Sequence, residues 1–137
     1  MENKYKPTEG MKKAAQKGLD FRDEYNRGGT AVGIARARDI VNNKSLPIET
    51  VARMYSFFKR HEVDKQAEGF RSGEDGYPSN GLIAWLLWGG DAGYSWSTKI
   101  WEKHKENNKS IIDISYLIDD KISDVEIKIA LELVKEK

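Results

Sequence analysis

The sequence predicts an all-α fold, a compact bundle of five to six helices with a long glycine-rich loop and a separate C-terminal helix. Three observations lead there. Apolar residues recur at helical spacing in several stretches of helix length, most of them opened by a capping residue. One run alone, Ser110–Ile118, has the β-branched character of a strand, and a lone strand has no partner. The 137 residues include no cysteine, and a chain of that length buries a core without disulfide staples.

Met1 to Lys6 is polar and reads as a frayed end. Thr8 then caps a first helix, with Met11, Ala14, Ala15 and Leu19 near one face. Arg27-Gly28-Gly29 is expected to end it, since a glycine takes positive φ without cost. Thr30 caps a second helix from Ala31 to about Asn43, with Val32, Ala35, Ile40 and Val41 assigned to its inner side. Pro47 suits the first turn of a third helix running to His61. There Val51, Met54, Tyr55 and Phe58 form one stripe, with Phe57 beside it.

Periodicity fades between Glu62 and Asn80, where Gly69, Gly73, Gly76 and Pro78 punctuate a polar run. Long loops of this kind are often functional. Ser79 or Asn80 then opens the most apolar stretch of the chain, which extends to Trp101 and holds all four tryptophans. Its unbroken apolar run, Ile83 to Trp88, is far shorter than the ~20 residues a bilayer requires. It therefore reads as a central core helix, turned at Gly89-Gly90-Asp91 into a returning helix from Ala92 to about Lys105. Trp85, Trp88, Trp96 and Trp101 are assigned to the structural core; the competing use of such rings is stacking on a ligand. Ser110–Ile118 is read as helix. Ser123, with Glu126 three residues on, forms a capping box for a last helix whose Val125, Ile129 and Leu133 are expected to face inward, joined by Ile127 and Val134.

Charge bounds the function. Lysine and arginine number 23 against 22 acids, but residues 1–60 carry 13 basic and 7 acidic side chains, while residues 110–137 carry 4 and 7. A basic front suggests an anionic partner. Arg36, Arg38, Arg53, Lys59 and Arg60 are the candidate contacts to a nucleic-acid backbone or another partner. Arg53 and Arg60, seven residues apart, share a helix face. The pairing of the second and third helices resembles a helix-turn-helix, but its turn is longer than usual and lacks the glycine.

Catalytic and metal signatures are weak. His61, Asp64 and Asp91 make a candidate loop site, set against the plainer role of a structural histidine. No zinc-protease spacing, nucleophile elbow or nucleotide P-loop occurs. Arg27-Gly28-Gly29-Thr30 at a helix start offers free N–H groups to an anion, or is simple punctuation between helices. No metal and no cofactor is expected. No N-terminal apolar segment reads as a signal peptide or anchor.

Three words in the chain, RGGTAVGIARARDI, RHEVDK and GYPSNGLIAWLLWGGDAG, together resemble an uncharacterised domain of tailed bacteriophages. That domain occurs alone or beside phage head-maturation protease and structural domains. The resemblance spans roughly Pro7 to Trp101. It implies a phage-type helical domain over 1–109, a C-terminal helical extension over 110–137, and a place in the infected host's cytoplasm or in the virion. The protease residues of the neighbouring domains have no counterparts here. The expected function is that of a non-catalytic accessory protein binding nucleic acid or a capsid or head-assembly protein. The alternative is an inhibitor of a host defence system that binds protein, and the third reading is an enzyme using the His61–Glu74 loop.

Overall fold

The computed structural model describes residues 4–107, 118 and 122–135. The expected all-α bundle is what forms. Six α-helices appear among the described residues: α1 (Glu9–Tyr25), α2 (Ala31–Val41), α3 (Ile48–His61), α4 (Asn80–Leu87), α5 (Gly90–Asn107) and α6 (Asp124–Lys135). A 3-10 segment covers Glu62–Gln66. Two minimal strands, β1 (Lys4–Tyr5) and β2 (Leu46–Pro47), pair antiparallel, with Lys4 opposite Pro47 and Tyr5 opposite Leu46. Lys4 to Lys6 are thus tied down where fraying was expected, with Lys6 Nζ bonding Asn43 O at 3.0 Å, while residues 1–3 lie outside the described residues.

The caps explain where the helices begin. Thr8 Oγ1 accepts from Met11 N at 3.2 Å while Thr8 N reaches the Met11 sulfur, a capping box with a thioether in place of a carboxylate. Thr30 accepts from Gly33 N, and Ser79 from Leu82 N, so two further helices open on the same device. At the end of α1 the left-handed residue is Asn26, φ 50°, one turn residue before the glycines expected to hold that place. Asparagine tolerates this conformation because its short side chain bonds locally. The Ser123–Glu126 box forms as expected, with Glu126 N donating to Ser123 Oγ at 3.1 Å.

The core has two lobes. In the larger, α1 packs across α4 and α2, and Met11, Ala15, Ala37, Ile40, Met54, Phe58, Ile83 and Leu87 are buried among Trp85 and Trp88. Phe57 stacks on Trp88 at 4.6 Å between centroids, and Phe58 meets Trp85 edge-on at 4.8 Å. The smaller lobe joins α3, α5 and α6 through Val51, Ala52, Tyr55, Trp101, Ile127 and Leu131. Trp96 is half-buried between the lobes, its Nε1 donating to Lys6 O at 3.0 Å.

Two inner faces differ from expectation. In α2, Gly33, Arg36, Ala37 and Ile40 point inward, while Val32 and Ala35 are exposed. The reason is Trp88: its indole lies against Gly33 and its ring beneath Arg36, so the smallest residue of the helix faces the largest of the core. In α6, Ile127 and Leu131 are buried, whereas Val125, Ile129 and Leu133 are 66, 54 and 58 % exposed. The helix has two apolar stripes, and Asp124, drawn to Arg53, rotates the other one onto α3. The segment Ser110–Ile118, read as helix, lies almost wholly outside the described residues.

Candidate functional site

The five cations named from the sequence do not form one surface. Arg36 and Arg53 are buried, at 7 and 4 % exposure. Arg36 Nη1 meets Asp39 at 3.4 Å and its Nη2 meets Asp124 at 3.4 Å. Arg53 Nε donates to Asp124 Oδ1 at 2.7 Å, and its Nη2 donates to the carbonyl of Ile122. Arg60 donates to the carbonyl of Ile118. Arg53 and Arg60 do share a face of α3, but Ile118, Ile122 and Asp124 meet them there. Arg38 and Lys59 are exposed, with the Lys59 ammonium 5.8 Å from the Tyr55 ring centroid.

Of the loop residues, His61 and Asp64 meet and Asp91 stands elsewhere. His61 Nδ1 is 3.1 Å from Asp64 Oδ2. Asp91, exposed at the start of α5, accepts from Trp85 Nε1 at 2.9 Å and pairs with Lys65 Nζ at 2.7 Å. Partial burial pushes the Asp91 carboxyl up, but the bonds from Lys65 and Trp85 outweigh it and hold the group below the ordinary range. Beside it the Tyr94 phenol is pushed up to about 12, first by burial and then by its bond to the Glu62 carboxylate, 2.5 Å away. Together these contacts fasten the 3-10 segment to α4 and α5. The rest of the loop is ordered by Glu74, whose Oε1 accepts from Gly69 N and Arg71 N.

His61 and Asp64 line a cavity of about 360 Å3. Its other walls are Gly28, Gly29 and Thr30 at the start of α2, Asn80, Gly81 and Ala84 on α4, and Phe57 and Trp88 from the core. The turn into α2 favours glycine: Gly28 and Gly29 have φ 87° and 74°, and a Cβ on Gly28 would come within 2.8 Å of Ile83 Cβ. Arg27 Nη1 donates to Asn80 Oδ1 at 3.0 Å and ties the two helix starts together. His61 stacks on Phe57 at 4.5 Å, and Phe57 stacks on Trp88 in turn.

The sequence singled out Gly28-Gly29-Thr30 and the His61–Asp64 pair separately. What it did not show is that they face one cavity, or that Asn80, Ala84 and Phe57 complete it. Pro78-Ser79-Asn80-Gly81 reads as a helix cap, which it is, and nothing in that word announces its second role. Among the described residues no group of three or more histidine, cysteine or acidic side chains is placed to hold a metal ion, and no helix is long and apolar enough to cross a membrane. No protein-family model, no curated protein and no solved structure matches the chain.

Proposed function

We propose that the chain is a non-catalytic accessory protein of a tailed bacteriophage, working in the infected cell or the virion, and that its partner is another protein. The observation that carries the reading is the outer face of α6. Val125, Ile129 and Leu133 recur every fourth residue on a helix already anchored by Ile127 and Leu131, and all three stand in solvent. An apolar stripe at this spacing is what a helix offers to a groove on a partner. Glu126 and Glu132, both exposed, lie three residues either side of Ile129 and flank the stripe. The partner surface that complements it is an apolar groove with a basic rim, on a capsid or head-assembly protein in the first instance.

The buried arginines weigh against nucleic acid. A phosphate-binding surface needs its cations in water, and Arg36 and Arg53 are spent on Asp39 and Asp124. Ile129→Asp and Leu133→Asp test the reading, because both positions are exposed and the fold tolerates charge there. Loss of binding to purified head-assembly proteins, with melting unchanged, supports it. Binding to a host nuclease with the same sensitivity moves the role to defence inhibition. Salt-dependent binding to duplex DNA that Arg38→Glu weakens refutes it.

A further inference from the structure

We propose that the cavity between α2, α3 and α4 is a binding site for a small hydroxylated molecule that also carries an oxygen acceptor, a hydroxy acid or a sugar. The proposal is independent of the protein-binding role of α6. It stands on the side chains that line the cavity and on what each has left to offer.

His61 supplies the acceptor. A carboxylate only accepts, so in the neutral imidazole the 3.1 Å contact to Asp64 places the proton on Nδ1 and leaves the Nε2 lone pair open. Nε2 has no hydrogen-bond partner among the described residues. The ring is held from both sides of the contact. It stacks on Phe57, and Asp64 sits against Gly81, where an added Cβ would lie 3.0 Å from the Asp64 Cβ.

Thr30 and Asn80 supply the donors. Thr30 Oγ1 accepts from Gly33 N at 3.2 Å, which leaves its own hydrogen to give. Asn80 Oδ1 accepts from Arg27, which fixes the amide orientation and leaves Nδ2 as a donor. The set of one acceptor and two donors is complementary to a ligand hydroxyl beside a carbonyl, carboxylate or ring oxygen. Phe57, Ala84 and the Trp88 indole give that ligand an apolar wall. A volume of about 360 Å3 falls within the range of small-molecule sites, at its lower end.

The test is a 15N–1H NMR titration of the full chain with D-glycerate and with D-ribose. The expected result is saturable shifts confined to the amides of Gly28, Gly29, Asn80 and Gly81 and the Trp88 indole. Response to glycerate alone identifies an acid, and response to ribose identifies a sugar. His61→Phe removes the ring nitrogens and keeps an aromatic ring against Phe57, Asn80→Ala removes the amide, and each should weaken binding about tenfold. Ala84→Leu fills the cavity and should abolish it. Melting curves verify that each variant is folded. Absence of saturable shifts with both probes overturns the proposal, as does unchanged affinity in both His61→Phe and Asn80→Ala.

Discussion

Asp124 is the acid on which two buried arginines converge, and removing its carboxylate tests how the C-terminal helix is held. In Asp124→Ala, the Arg53 Nε bond at 2.7 Å and the Arg36 contact at 3.4 Å are both lost. Breaking a fully buried pair costs about 3–5 kcal/mol, because the surviving charge stays desolvated. An exposed pair is worth less than about 1 kcal/mol. The arginine side chains are 9 and 5 % exposed, but the Asp124 side chain is 44 % exposed. Arg36 keeps Asp39 and Arg53 keeps the Ile122 carbonyl. The expected cost lies between the limits, at about 2 kcal/mol. Asp39→Ala, which leaves Asp124 in place, should cost less than about 1 kcal/mol. Urea denaturation followed by circular dichroism gives the stabilities. Tryptophan fluorescence adds a local report, since Trp101 packs in the same lobe as Ile127 and Leu131. A loss below about 0.5 kcal/mol for Asp124→Ala, within the range of ordinary surface substitutions, refutes the reasoning. So does an equal loss for Asp39→Ala.

Trp85→Ala and Trp88→Ala should each cost roughly 3–5 kcal/mol, since both rings are buried and packed against Phe58 and Phe57; a melting temperature like the parent's shows that the tryptophans are not core. Gly90→Ala should cost more than about 1 kcal/mol, because φ is 64° and the new Cβ would lie 2.9 Å from the Ala14 Cβ; unchanged urea midpoints argue that the turn relaxes freely. Tyr94 ionises near 10 when unfolded and at about 12 in the fold, so its share of stability is complete below 10 and disappears as pH rises from 10 to 12. Tyr94→Phe should therefore flatten the alkaline loss of stability, and an unchanged profile is evidence against the raised ionisation of Tyr94.

Helix starts were the most legible feature of the sequence, because a cap is a local event. Thr8, Thr30, Ser79 and Ser123 each bond an amide within three residues, and their identity alone marks the place. Inner faces were less legible. A helix such as α6, with apolar residues on two sides, does not itself say which side the core will cover; Asp124 and its arginines decide, and they lie far apart in the chain. The arginines misled for the same reason. A basic surplus in the first sixty residues looks like an exposed field until an acid from beyond residue 120 is folded onto it. The cavity was legible only in fragments, since its walls come from three separate stretches that no spacing rule connects.

The close approach of α1 to α4 has a kinetic consequence. Gly18 has no side chain to hold the helices apart, and a Cβ there would stand 2.8 Å from the amide nitrogen of Leu87, about 70 residues further along. Most helical bundles of this size assemble from neighbours in sequence and fold fast, since short loops close at small entropic cost. Here α2 can cover α1 early, but the tightest joint is between the first helix and the fourth, so the part of α1 that meets α4 stays uncovered until α4 has been made. On a ribosome adding about 5–20 residues per second, that wait lasts several seconds, an interval in which the uncovered stretch of α1 is open to contacts with other chains.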